Sequence, residues 1–319
     1  MKWISRTLII LLLLSTLMIL GALFGGMNFS VVSNFFKDDE AYGDIKEFEA
    51  SELIIELSIN LDDRNIVIEY IESGSLSLTY YEHEKDQWSI NEEDGKLTIT
   101  QKRTFSLLNN FTFKYTSREV KTVTIFVPLN TLLVLDAHTD VGDVSINLSD
   151  SELTTVELST DTGNISVKDL IITQNLIANS DTGNISLEFV EAQTMVISCD
   201  TGRVKIDDSK AETITVSNST GDVLIKRTEA SNLLKVTTQT GRVDVRNTSS
   251  INYQLKTSTG NIYFEYTELA SETISYDLKV SVGTIYLNSQ SQGNRHQTTS
   301  GDISIKAESS TGNIRIITQ

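Results

Sequence analysis

The stretch STDTGNISV at residues 159–167 returns as NSDTGNISL at 179–187, and variants of it continue to the end of the chain. Aligned on Gly142, Gly163, Gly183, Gly202, Gly221, Gly241, Gly260, Gly283, Gly301 and Gly312, the copies are separated by 21, 20, 19, 19, 20, 19, 23, 18 and 11 residues by subtraction. A unit this short cannot bury an apolar face except against its neighbours, so a period near twenty held over so many copies points to a solenoid.

The columns of the alignment set the expected topology. Two and four residues after each glycine stand apolar pairs, from Val144/Ile146, Ile165/Val167 and Ile185/Leu187 to Ile262/Phe264, Ile303/Ile305 and Ile314/Ile316. Five residues before it stand Ala137, Leu158, Ala178, Ile197, Val216, Val236, Leu255, Leu278, His296 and Ala307, of which only His296 is polar. Independent hairpins would not keep inward positions at a fixed distance from one turn; coils stacked about 4.8 Å apart would. The expectation is an all-β chain folded as a right-handed parallel β-helix, with ten rungs making a rod on the order of 45 Å long. Thr-Gly followed by a polar residue reads as a type II turn with glycine at the position of positive φ. The final interval of eleven residues and the ending IRIITQ suggest a last strand with an incompletely covered edge, or one blunted by Arg315.

Before the repeat, ELIIELSI, NIVIEYI, SLSLTYY, KLTITQK and VKTVTIFVPL alternate apolar and polar residues as half-buried strands do, and the single proline, Pro128, ends the last of them. The N-terminus carries only Lys2 and Arg6 and then a predominantly apolar run from Leu8, near the length that crosses a bilayer. GALFGG is a poor cleavage site, so residues 1–27 are read as an uncleaved transmembrane signal-anchor and 28–49 as a polar linker. Lead strands at 50–135 would then cap a repeat β-helix at 136–319. The two basic residues favour a cytoplasmic N-terminus, which makes this a single-pass protein of a bacterial cell membrane with its C-terminal domain outside.

The formal charge is -17, and removing Lys2 and Arg6 leaves -19 on the rest. Such a surface repels phosphate backbones, which disfavours nucleic acid as a partner. Cys199 is the only cysteine, so no intrachain disulfide can form.

The anchor, the lead strands ending in TVTIFVPLNT and the tandem S-x-T-G-N/D-I-x-I units together resemble the bacterial "putative adhesin" family of β-strand repeat proteins of unknown function. Its membrane-anchored LiaG-like members are associated with envelope-stress response systems. The resemblance covers roughly residues 50–319. It implies an envelope role and brings no catalytic residues.

Candidate sites come from the corner columns. Asp140, Asp161, Asp181 and Asp200 stand two residues before successive glycines, with Asp143, Asn164, Asn184 and Arg203 just after them. Carboxylates stacked in this way repel. They are expected either to share Ca²⁺ along a strip or to bond to turn backbone and stay hydrated, relieved by Arg203. No other cofactor is implied. Thr162, Thr182, Thr201, Thr220, Thr240 and Thr259 would form a polar stripe or simply fill turn positions; Val141 and Val282 in the same column argue for the latter. Cys199 shares a column with Thr139, Thr160, Ser180, Asn218, Thr238 and Thr257, as a small residue facing inward or at a corner. Of His83, His138 and His296, only His138 has acidic neighbours.

The functional expectation is a non-catalytic, adhesin-like β-helix that binds envelope polymer or a surface partner. The alternative is an accessory protein docking on an envelope-stress signalling membrane protein. A carbohydrate-active enzyme using two of the stacked aspartates is the remaining reading. It lacks the long loops and aromatics of a sugar cleft, since Trp88 is the only tryptophan beyond the anchor.

Overall fold

A computed structural model describes residues 39–104, 116–129, 131–149, 151–266 and 273–318. The expected anchor at 1–27 and the first half of the expected linker fall outside these residues, while the second half carries the strand Tyr42–Glu49. Among the described residues no helix is long and apolar enough to cross a membrane. Apart from one 3₁₀ turn at Asp39–Ala41, the regular structure is all strand.

One coil shows how the sequence makes the fold. In Val204–Asp207, Val204 and Ile206 face inward while Lys205 faces out, as period-two alternation requires. The chain then bends at Asp208, whose φ of 47° suits the local backbone bonding of aspartate. It resumes in Lys210–Thr220, where the register against the next coil slips between Ala211 and Thr213. Over the same stretch the inward set passes from Ala211 to Ile214, Val216 and Asn218, and the slip takes up the one extra residue of the next strand. The Thr220-Gly221 corner then delivers Val223–Lys226 one level up. Neighbouring coils repeat the plan, with positive φ at Asp169, Phe189, Arg227 and Asn247.

Stacking is parallel and in register. Leu158 pairs with Ala178, Ala178 with Ile197, Ile197 with Val216, Val216 with Val236, and Val236 with Leu255. Ile165, Ile185 and Ile262 are each 1% exposed or less, and every apolar pair that follows a corner glycine lies inside, with Leu287 partly covered. The core is therefore a bundle of continuous aliphatic ladders, each side chain resting on its equivalents above and below.

The corner glycines are held more tightly than a type II turn requires. Gly183 has φ of 151°, well beyond the roughly 80° of that turn and in a region reserved for glycine. A Cβ on Gly183 would lie 1.7 Å from the carbonyl oxygen of Gly163. Each corner rests on the corner beneath it, backbone against backbone.

Rung order departs from chain order at both ends. Ten parallel pairings link eleven long strands, but the coil of Glu56–Leu61 and Asn65–Ile71 lies between that of Lys96–Arg103 and Thr122–Pro128 and that of Val134–Val141 and Val144–Asn147. At the far end, Ile303–Thr311 and Ile314–Ile317 insert between Ser249–Thr259/Ile262–Glu265 and Ile274–Val282/Ile285–Leu287. The expected open edge at the C-terminus is thus closed, since Ile314–Ile317 pairs on both sides. Gly301 is not a corner: Ile303 and Ile305 pair with Ile274 and Tyr276 in the long-strand column. His296 leaves the apolar column for the same reason. It lies on Arg295–Gln297, which runs antiparallel along the outermost coil and covers its edge.

Candidate functional site

Three polar ladders converge on the Thr-Gly corners. Inside, the residue three before most corner glycines donates to the glycine carbonyl of the preceding coil: Thr160 Oγ1 to Gly142 O at 2.9 Å, Ser180 Oγ to Gly163 O at 3.1 Å, and Asn218 Nδ2 to Gly202 O at 2.9 Å. Cys199 Sγ takes the same place, 3.3 Å from Gly183 O. Its thiol is pushed up by burial and by the neighbouring charge of Asp200, which makes it a packed weak donor rather than a nucleophile. The sequence signal was a column of small donors; its common acceptor became visible only in the structure.

Just after the glycine, side-chain carbonyls form the second ladder. Asn164 donates through both its backbone N and Nδ2 to Asp143 Oδ1, each at 2.9 Å. Asn184 does the same to Asn164 Oδ1 at 2.9 and 3.0 Å, and the Arg203 backbone N donates to Asn184 Oδ1 at 2.9 Å. These residues fix the corner, as local backbone bonding by Asn and Asp predicts.

The third column holds the stacked aspartates. Asp161, Asp181 and Asp200 are exposed, and Asp140 is half exposed. Asp200 accepts a 3.3 Å bond from Ser219 Oγ. Among the described residues, no group of three or more His, Cys, Asp or Glu is placed to hold a metal ion. Thr162, Thr182, Thr201, Thr220, Thr240 and Thr259 are exposed beside them, and the carbonyl of each accepts from the corner glycine amide of the preceding coil, as in Gly142 N to Thr162 O at 3.0 Å.

His138 lies between Ser159 and Asp140, with Nδ1 2.8 Å from Ser159 Oγ and Nε2 3.0 Å from Asp140 Oδ1. The connectivity is that of a nucleophile, base and orienting acid, set on an outward-facing row in which the His138 and Asp140 side chains are 31% and 50% exposed. His83 is elsewhere, buried against Tyr42 with ring centroids 4.9 Å apart.

The densest charge lies under the lead strands, at a point the sequence did not mark. Arg64, with a fully buried side chain, pairs with Asp63 and with the equally buried Asp86. Arg103 and Lys121 also reach Asp63, the latter at 3.2 Å. Gln101 Nε2 donates to Asp63 at 3.2 Å and to Asp86 at 3.1 Å. Burial pushes the Asp63 carboxyl up, but the charges of Arg64, Lys121 and Arg103 outweigh it and hold it below the ordinary carboxylate range. Arg64 occupies the level below Gly142, whose Cβ would lie 2.1 Å from Arg64 O. The cluster therefore plugs the rod where the glycine stack ends.

Comparison with solved structures gives distant likenesses. A "putative adhesin" of Bacteroides fragilis NCTC 9343 is 16% identical with a TM-score of 0.46, covering 87% of this chain and 99% of that one. A "putative cell adhesion protein" of Clostridium sporogenes is 11% identical with a TM-score of 0.22, covering 86% and 99%. A "putative lipid binding protein" of Parabacteroides distasonis is 14% identical with a TM-score of 0.38, covering 69% and 94%. No curated protein matches. The family model Toastrack DUF4097 matches residues 54–306, which span the lead coils and nearly all of the repeat. The chain belongs to the Toastrack DUF4097 family.

Proposed function

We propose that this protein is a membrane-anchored, extracytoplasmic, adhesin-like solenoid of a bacterial envelope, wound right-handed and held to the cell membrane by residues 1–27, that binds envelope polymer through its lateral faces. The observation that supports this reading most is the register of the outer columns. Ser145, Ser166, Ser186 and Lys205, for example, recur on one face at every level. A repeated polar surface matches a repeated polymer, and many weak contacts in step add up by avidity. Co-sedimentation of the full-length protein with purified wall polymer tests it; a protein that stays in the supernatant refutes it.

A second reading is favoured by the lead strands. Tyr42–Glu49 pairs only with Ser77–His83, and Asp86–Glu93 only with Lys96–Arg103, among the described residues. Each leaves one edge on which a signalling membrane protein could add a strand. Crosslinking to a membrane protein without retention on wall polymer supports this accessory role instead.

A further inference from the structure

One outer column differs from the rest of the rod. Running up the short strands through Ser145, Ser166, Ser186, Lys205 and Leu224, it reaches Asp244 and then Tyr263, Arg315 and Tyr286 on three adjacent coils. Tyr263 and Tyr286 are half-buried, and Arg315 is exposed between them with its guanidinium 5.5 Å from the Tyr286 ring centroid. In a chain of charge -17, Arg315 has no carboxylate within ion-pair distance among the described residues, whereas the nearby Arg246 and Arg242 are committed to Asp244 at 2.7 and 3.6 Å. An exposed, uncompensated guanidinium beside aromatic rings is a ready partner for a carboxylate.

The neighbouring column adds donors in fixed positions. Asn261 Oδ1 accepts from the Asn313 backbone N at 2.8 Å, and Asn313 Oδ1 accepts from the Thr284 N at 2.9 Å. With the carbonyl end of each amide held, the two Nδ2 groups keep one orientation, and neither has a partner among the described residues. The Glu265 carboxylate is engaged by the Tyr263 hydroxyl at 2.6 Å. The patch therefore offers the Tyr286 ring, the Tyr263 ring with the Arg246 guanidinium 4.6 Å from its centroid, two amide donors, and in Arg315 a cation without a carboxylate partner among the described residues, while Asp244 and Glu265 are engaged by Arg246, Arg242 and the Tyr263 hydroxyl.

Spacing selects the ligand. Tyr263 and Tyr286 are two coils apart, roughly 10 Å at the usual strand separation. That is close to the length of two sugars in an extended β-linked chain, so the rings meet successive repeats while Arg315 meets the residue between them. We propose that Tyr263, Arg315 and Tyr286, with the amides of Asn261 and Asn313, form a binding subsite for a linear glycan in which every second sugar carries a carboxylate. This rests on the polymer-binding reading above and names the part of the polymer that is recognised.

The test is co-sedimentation of the full-length protein with wall glycan strands freed of peptide and teichoic acid, used native and after amidation of their carboxyls. Native glycan should retain the wild type, and amidation should weaken retention about tenfold, as expected for one charge-assisted contact. Arg315→Ala should match that loss, Arg315→Lys should recover part of it, and Tyr286→Ala should weaken both glycans alike. Gln87→Ala, exposed on the lead strands away from the short-strand columns, should change nothing, and thermal melts establish that each variant is folded. Equal retention of wild type, Arg315→Ala and Tyr286→Ala overturns the subsite while leaving polymer binding intact, as does indifference to amidation. A wild type retained by neither glycan overturns both this inference and the polymer reading.

Discussion

Replacing Gly183 by alanine should be among the most damaging single-methyl changes the rod can suffer. The added Cβ would stand 1.7 Å from Gly163 O, where ordinary contact begins near 3.4 Å, so the two corners must separate by about 1.7 Å by subtraction. Five of the bonds across this junction are Gly163 N to Thr182 O and Ile165 N to Asn184 O at 2.9 Å, the two from Asn184 to Asn164 Oδ1 at 2.9 and 3.0 Å, and Ser180 Oγ to Gly163 O at 3.1 Å. Stretching them that far takes them out of hydrogen-bonding range. Losing two to four of them costs about 1 kcal/mol each, and a non-glycine residue at this φ adds roughly 1–3 kcal/mol of strain, for a total of about 3–7 kcal/mol. Gly293→Ala is the control. Its φ is also positive, at 75°, but nothing lies within 4 Å of the added methyl, so only about 1–2 kcal/mol of backbone strain applies. Urea unfolding followed by far-ultraviolet dichroism gives the global cost, and amide exchange across residues 165–201 shows whether the damage is local, as nearest-neighbour coupling requires. If Gly183→Ala costs no more than Gly293→Ala, the account of stacked corners is wrong.

Asp181→Asn should raise stability by up to about 1 kcal/mol through relief of repulsion along the exposed carboxylate column, and EDTA should leave the melting midpoint unchanged; a destabilised variant with a midpoint that rises in calcium would identify a cation strip instead. Cys199→Ser should be nearly neutral because Ser180 fills the same role one coil away, whereas Cys199→Val strands the Gly183 carbonyl and should cost about 1–2 kcal/mol. Native Cys199 should resist iodoacetamide until the protein is unfolded. Arg64→Met leaves Asp63 and Asp86 buried without their shared partner and should cost about 3–5 kcal/mol in urea unfolding. Because the folded Asp63 titrates below its unfolded value, its contribution is complete above about pH 4 and fades as pH falls through the folded pKa. The urea midpoint should therefore drop on acidification below pH 4, and Asp63→Asn should lower it at pH 7 while flattening that fall.

The repeat was legible because stacking imposes the same demand at every level. Ile165, Ile185 and Ile262 had to be aliphatic, and the period-twenty columns showed it. The corner was only half legible: Thr-Gly announced a bend, but the closeness of Gly183 to Gly163 is a relation between coils that no single turn encodes. The charged plug was illegible for a different reason. Asp86 and Arg103 come from separate strands and Asp63 and Lys121 from separate turns, and their meeting depends on the coil of Lys96–Arg103 lying beneath that of Glu56–Leu61. Chain order predicts neither this nor the insertion of Ile303–Thr311 ahead of Ile274–Val282.

The out-of-order ends bear on where recognition can take place. A solenoid wound strictly in chain order leaves its first and last coils with open ladders, which invites end-to-end association. Here the chain steps past one level after Glu265, lays Gln290–Ser291 and Arg295–Gln297 along the outermost coil, and returns to fill the gap. At the other end, Ser77–His83 and Asp86–Glu93 run antiparallel over the lowest coil. The edges still unpaired there among the described residues carry Asp44, Lys46, Glu47 and Glu49 on one strand and Glu92 and Glu93 on the other, charges that discourage pairing with a second copy. With the upper end covered, the lower edges charged and the interior filled by aliphatic ladders, the lateral columns are the surfaces on which a polymer can be met. Among those described above, the one ending in Tyr263, Arg315 and Tyr286 combines aromatic rings with a cation that has no carboxylate partner among the described residues.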